Sequence, residues 1–439
     1  MTFEEARDYL LQKARAMGLE VEVLATEHRE LSVRAREGRV EEITQARQGG
    51  IGLRVVEGGR TGYAYTEELS PAALDWALEE ARENARLQAE AGGFLPQGGP
   101  LGQHDLLGEG LSAPLEEKRQ KALALEAELR AHPQVAQVGM GGYTERESRT
   151  LLASTQGVAG AFRTGYAVLG VSAVMRQGES LKQGWELDFS REFHALEPGR
   201  TAQAFLQRTG RLLGARPLKT GRYRAYLEPR AFGPMLVFLG WFMLSAKNVL
   251  EGKSPLAGRL GQKVASDLFT LVDDPTLPGG LASRPFDAEG TEARRTVLIE
   301  QGVLRTFAHN SETAHRMQTR STGHASRSYN GVLGVAPSNL LVEPGSGVRL
   351  EQGVIIAEVM GLHAGANPIS GDFSLQALGL WVEGGEVAYP VENFAVSGNF
   401  LELLAQISAL GSELEWQPTM AGAVGTPLVE VAELSFAGA

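Results

Sequence analysis

ANPISGDFSLQALGLWVEGGEVAYPVENFAVSGNFLELL, residues 366–404, decides how the fold is read. Its centre, ALGLWVEGGEVAYPVENFAVSG (377–398), is made of apolar, β-favouring runs parted by glycine-rich turns, the pattern of strands rather than helices. The same texture recurs on both sides, in VLIEQGVLRTF (297–307), NLLVEPG (339–345), GVIIAEVMG (353–361) and PLVEVAELSFAG (427–438). One segment interrupts it. FGPMLVFLGWFMLSA (232–246) predicts a strongly apolar helix over about 230–250. It falls short of the ~20 residues needed to span a bilayer and runs into Lys247, so a helix buried in a core is expected, and no membrane.

Working upstream, GRTAQAFLQRTGRLLGA (about 198–214) predicts a helix, preceded by strand-like runs at 135–148, 149–155, 159–177 and 180–190 and by a helix at about 115–132. Those runs suggest a second sheet. Residues 91–114 are rich in glycine and proline and are expected to be a linker. Before it, Ser70-Pro71 opens a helix with a capping residue and a first-turn proline. GIGLRVVE (50–57) and GYAYT (62–66) flank Gly58-Gly59 as a hairpin would. VEVLA (21–25) and ELSVRA (30–35) alternate like half-buried strands. Thr2 and Glu5 form a capping box for the first helix, which Gly18 is placed to end. Helices mixed with antiparallel strands make the class α+β. Three units are expected: 1–95, 115–218 and a large sheet-rich unit 220–439 carrying the apolar helix.

Composition narrows the chemistry. A net charge of −11 over 439 residues repels phosphate backbones, so nucleic acid is not expected as a partner. The chain has no cysteine, which removes disulfides, thiolate nucleophiles and thiolate metal ligands together. The start, MTFEEARDYLLQKARAMG, is acidic early and carries no continuous apolar stretch, so a cytoplasmic location is expected.

Short motifs add little. Gly252-Lys253-Ser254 lacks the first glycine of a phosphate loop, since position 247 is lysine; a helix-ending turn is the simpler reading. Gly50-x-Gly52 lacks the third glycine of a dinucleotide fingerprint, with valine at 55. No G-x-S-x-G elbow occurs. His309, His315 and His324 are spaced too unevenly to share a helix face. Asp273-Asp274 and Asp372 lie in polar turns, where a carboxylate commonly bonds neighbouring amides.

Several segments together resemble the TldD/PmbA peptidase family, also called modulators of DNA gyrase: LEGKSPLAGRLGQKVASDLFTLVDDP (250–275), STGHASRS (321–328), residues 366–404, and GGIGLRVVEGGRTGYAYT (49–66). In catalytic members the resemblance implies an H-E-x-x-x-H run on the helix before the LEG segment, with a cysteine near the C-terminus as a further zinc ligand. The two imidazoles would hold zinc and the glutamate would activate its water. Here the matching positions are Met243, Leu244 and Asn248. A thioether and an amide are poor zinc ligands and leucine is no base, so no metal ligand and no catalytic residue is expected in this chain. The resemblance therefore implies a TldE/PmbA-type subunit, without cofactor of its own, that pairs with a TldD-type catalytic chain bearing the zinc. The complex would degrade or process unfolded or short peptides, and the chain alone could form a homodimer. Asn367, Ser370, Gly371, Asp372 and Phe373, with Arg320, Ser321, Thr322 and Gly323, are candidates for lining a peptide chamber or for purely architectural roles. Two other functions compete: a module that binds gyrase or another protein without chemistry, and a self-sufficient hydrolase using Asp372 or the histidines at 309, 315 and 324.

Overall fold

In the computed structural model, residues 1–89, 92–419 and 422–438 are described. Thr2 Oγ1 accepts from the Glu5 amide at 3.2 Å and Glu5 accepts from the Thr2 amide at 2.9 Å, closing the expected capping box of α1 (Phe3–Ala16). Ser70 caps α2 (Pro71–Leu87) as its sequence predicts. α3 (Leu115–Arg130) and α4 (Pro198–Gly210) also fall where expected.

The strands depart from the expectation in one instructive way. The two short runs at 21–25 and 30–35 are halves of a single strand, β1 (Glu20–Arg36). It pairs antiparallel with β2 (Arg39–Glu57), which turns at Gly58-Gly59 into β3 (Arg60–Thr66). On its other side β1 pairs along its length with β5 (Val135–Ser154). β5 continues to β6 (Ala159–Gln177), which carries β7 (Ser180–Ser190) on its other side. The expected second sheet is not separate: among the described residues the seven strands up to Ser190 form one sheet. The linker at 91–114 also needs correction, because β4 (Pro100–Asp105) lies within it and joins β6 in parallel; Ala91 is outside the described residues.

That sheet carries two separate cores. Odd-numbered residues of β1 face one side throughout, as a period of two requires. Val21, Val23 and Ala25 pack under α1 and α2, whereas Leu31, Val33 and Ala35 pack under α3 and α4. A strand this long can serve two helix pairs, and local alternation cannot tell one long strand from two short ones.

Among the described residues the third unit has two large sheets and a two-stranded one that pairs 325–326 with 334–335. Six strands run in the order 303–304, 296–300, 271–273, 339–342, 423–426 and 415–418. Seven run 407–410, 429–437, 221–227, 353–360, 372–383, 386–399 and 216–217. Both sheets and the apolar helical segment contribute to one core, among them Phe232, Leu236 and Leu239 from the helix. No described helix is long and apolar enough to cross a membrane.

The long sheet meets the third unit through its even-numbered face. A Cβ on Gly52 would lie 1.9 Å from the Tyr329 carbonyl oxygen, so close backbone approach is what position 52 requires, not a nucleotide. Beside it, four charged side chains are buried to 2% exposure or less: Glu22 of β1, Arg54 of β2, and Glu289 and Arg327 of the third unit. Arg54 donates to Glu289 at 2.7 Å, and Glu22 pairs with Arg327 at 3.0 Å and with Arg54 at 3.4 Å. Burial pushes the Glu22 carboxyl up, and Arg54 and then Arg327 oppose that push.

Replacing Arg54 with methionine leaves two buried carboxylates facing the lone Arg327. The loss is expected to be about 3–5 kcal/mol, because breaking a buried ion pair strands its partner. Urea unfolding reads it as a lower midpoint; a change below about 1 kcal/mol would mean that the cluster does not hold the two parts together.

Candidate functional site

The apolar segment begins as predicted and then fails to continue. Pro229 opens α5 (Pro229–Met235), a wide π turn follows over Leu236–Trp241, and one more helical turn covers Phe242–Leu244. Ser245 is extended, with ψ at 117°, and a separate short helix runs Ala246–Leu250. The expected continuous helix over 230–250 is thus broken. The cause is tertiary: Ser245 bridges Ala308 in parallel, Ala308 N donates to Leu244 O at 2.9 Å, and Ala246 N donates to Ala308 O at 3.0 Å. These bonds replace the helical ones that the break removes.

The break separates Met243 and Leu244 from Asn248. Residues five apart lie about 140° apart around a regular helix, so a run of this spacing depends on such an irregularity to turn its side chains together. Met243 and Leu244 are each 1% exposed and belong to the core. Asn248 Nδ2 donates to Phe242 O at 2.8 Å and so caps the segment before the break. The donor set does not fit zinc: a buried thioether, an alkyl chain and an amide already engaged. Among the described residues no group of three or more histidines or carboxylates is arranged to hold a metal ion.

Two elements expected far apart in sequence meet here. The loop at 366–373 lies against Met243, since a Cβ on Gly371 would sit 3.0 Å from Met243 Cε. Gly371 has φ +86°, a conformation that side chains disfavour. Asn367 Oδ1 accepts from the Ile369 amide at 2.9 Å, and Ser370 Oγ accepts from the Asp372 amide at 3.3 Å. Asn399 Nδ2 donates to Asp372 Oδ1 at 2.9 Å and to Ser370 O at 3.0 Å. Asn399 and then Ser370 hold the exposed Asp372 carboxyl below its usual range. Phe373 is buried in the core.

The segment 320–323 leads elsewhere. Arg320 is exposed, Ser321 half-buried, and Thr322 and Gly323 buried. Thr322 Oγ1 accepts from the His309 amide at 2.6 Å and lies 2.7 Å from His324 Nδ1. His324 Nε2 meets Asp273 Oδ2 at 3.1 Å, and Ser338 donates twice to the same carboxylate. Burial alone would raise the Asp273 carboxyl, but His324 and then Ser338 hold it below its ordinary value. No sequence spacing announces this pair, whose partners are 51 residues apart. His315 stacks on Phe94 instead, so the three histidines do not converge.

Beside the broken helix opens a cleft of about 1030 Å³. One wall is the helical face of Pro234, Phe238, Trp241 and Phe242; the other includes Val335, Leu362, Pro418 and Val424. Asn248 and Lys247 also line it, and the 366–373 loop contributes Pro368. Proline and aromatic residues recurring at three- and four-residue intervals carried the signal for this wall, but the same periodicity describes a helix buried on all sides.

Three family models match the chain: a PmbA/TldA metallopeptidase domain 1 over residues 21–85, the central domain over 108–213 and the C-terminal domain over 220–438. Metalloprotease PmbA of Escherichia coli O157:H7 is 26% identical, covering 98% of this chain and 96% of its own. A PmbA homolog of Haemophilus influenzae is also 26% identical, over 94% of this chain and 91% of its own. A solved structure from Thermotoga maritima, described as a modulator of a DNA gyrase, is 30% identical with a TM-score of 0.87 over 99% of this chain and 100% of its own. TldE of Thermococcus kodakarensis has the same fold, with a TM-score of 0.88 at 22% identity over 99% of this chain and all of its own.

Two outcomes are expected. Burial, with His324 nearby, lowers His309 to about 4 from 6.5. Between those values the unfolded chain binds the extra proton, so stability is complete above about pH 6.5 and declines toward pH 4, by up to about 3 kcal/mol. Denaturant unfolding at pH 4.5 and 7 should show less of this slope in His309→Gln; an unchanged slope rejects the assignment. Gly371→Ala should cost about 1–2 kcal/mol in the same assay through its left-handed backbone.

Proposed function

The chain belongs to the PmbA/TldD metallopeptidase family, and from that premise we propose that it is the zinc-free, TldE-type subunit of a two-chain metallopeptidase that acts on unfolded or short peptides. The reading rests on one observation. Each position matching the H-E-x-x-x-H run has a folding role incompatible with metal binding: Met243 and Leu244 fill the core, and the Asn248 amide caps Phe242. Four missing groups, counting the cysteine that the chain lacks, are not restored by one compensating change. The zinc and its activated water would come from a TldD-type partner, and this chain would contribute walls to the space where the peptide lies.

The cleft beside the broken helix supports that division of labour. Its surface is apolar and open, with few polar groups, which suits an extended, sequence-varied peptide better than a small polar substrate. A second reading follows from the description of the Thermotoga maritima relative as a modulator of a DNA gyrase: a chain that binds another protein without chemistry.

The purified chain is expected to carry no stoichiometric zinc by mass spectrometry and to cleave no peptide alone. Mixed with a TldD-type chain, it should co-elute in size-exclusion chromatography, and cleavage should appear with zinc in the partner. Cleavage by the isolated, metal-loaded chain would refute the proposal. Recovery of gyrase with no peptidase chain would favour the second reading.

A further inference from the structure

Asn330 precedes a glycine, as no other asparagine in the chain does. It stands exposed at the tip of a loop whose flanks are anchored. On one flank Arg327 reaches the buried charge cluster, while Tyr329 lies against the Gly52 backbone and donates to Glu67 at 2.5 Å. On the other flank Leu333 is buried. Gly331 has no side chain to obstruct its own nitrogen. Ser328 Oγ donates to Asn330 Oδ1 at 2.8 Å, which draws electrons from the side-chain carbonyl and makes Cγ the better electrophile. Asn330 Nδ2 donates to nothing among the described residues.

Two other asparagines show the contrast. Asn310, followed by Ser311, is 3% exposed; its Oδ1 accepts from the Thr313 amide and its Nδ2 donates to Gly334 O at 3.3 Å. Asn339 is fully buried, with Oδ1 on the Ala282 amide and Nδ2 on Asp274 O and Ser283 Oγ. At Asn330 a single contact opposes reaction: Gly331 N donates to Ser328 O at 3.1 Å and closes a turn. That turn is at an exposed tip, so it opens without disturbing the anchors.

We propose that Asn330–Gly331 is a site of spontaneous backbone rearrangement. When the turn opens, the Gly331 nitrogen, having lost its proton to a solvent base, attacks Asn330 Cγ. The new N–Cγ bond closes a succinimide ring, the Cγ–Nδ2 bond breaks, and ammonia leaves with the proton. Water then adds to one of the two ring carbonyls and the C–N bond there breaks, giving aspartate or isoaspartate. The sum is water consumed and ammonia released, with no oxidant or cofactor. Isoaspartate lengthens the main chain by one carbon between Tyr329 and Leu333, so the product slackens the loop that ties the third unit to the long sheet.

The test ages the full-length chain at mildly alkaline pH and follows the tryptic peptide 328–349 by fragmenting mass spectrometry. The mass gain of an amide-to-acid exchange should appear at Asn330 and not at Asn339, in two products of equal mass that separate by chromatography. Asn330→Gln should stay unconverted, because its longer side chain closes a larger ring. Ser328→Ala should convert more slowly. The isoaspartate fraction, separated by its added charge, should melt a few degrees below the unconverted chain. No conversion of the folded chain while the free peptide converts would overturn the site. Conversion of Ser328→Ala at the parent rate or faster would overturn the role of the hydroxyl, and equal melting of the two fractions would overturn the effect on the contact.

Discussion

Four buried charges fix how the long sheet sits on the third unit, and through it the shape of the cleft. Taking Glu22, Arg54, Glu289 and Arg327 out of water is expensive, and their mutual attraction offsets the cost only in the assembled geometry. Such a cluster adds little net stability over apolar packing, but it tolerates very few relative positions of the two parts. Its influence reaches the candidate site by a short covalent path. Glu289 accepts from both the amide and the hydroxyl of Ser311. Three residues before Ser311 is Ala308, the residue whose pairing with Ser245 breaks the apolar helix. The contact between sheet and third unit and the break beside the cleft are therefore tied to the same few residues of backbone.

What the sequence made legible was local. Thr2 with Glu5, Ser70 with Pro71, and Gly58-Gly59 each act within a few residues, and each has the predicted bonds or turn. What it hid was long-range. β1 was read as two strands because only its pairing with β2 and β5 over its whole length shows it is continuous. The helix over 230–250 was read as unbroken because its break is imposed by Ala308, more than sixty residues away. Asp273 with His324 and Glu22 with Arg327 are unreadable for the same reason: two charged residues in separate segments carry no mark of meeting. Gly50-x-Gly52 is a further case: the sequence excludes a dinucleotide fingerprint, but that Tyr329 approaches the backbone at Gly52 shows only in the fold.

The candidate site was legible in part through what it lacks. Met243, Leu244 and Asn248 could be picked out only against a family pattern, since nothing in their own chemistry marks them. The residues that line the cleft were passed over because an aromatic stripe at helical spacing fits a buried helix equally well. The loop at 366–373 stood out only by resemblance, as chamber lining or architecture, and nothing in the sequence put Gly371 against Met243, where the fold brings it. Its polar residues are spent mostly on one another and on Asn399, so the loop acts as a rigid support more than as a donor of free groups.

The break at Ser245 bears on what histidines at positions 243 and 248 would cost the fold. An interval of five on a regular helix turns two side chains well apart, so an irregular backbone is a requirement of the spacing and not a sign of zinc itself. Here that backbone persists, held by Ala308, while the positions around it serve the fold. A histidine at 243 would bring a polar ring into a site that is 1% exposed and already in contact with Gly371. A histidine at 248 would remove the amide that caps Phe242. Each replacement would cost stability before any ligand gained a partner, and the thiolate would still be missing. Met243 and Leu244 are part of the packing beside the cleft, and Asn248 ties the broken helix together at its edge.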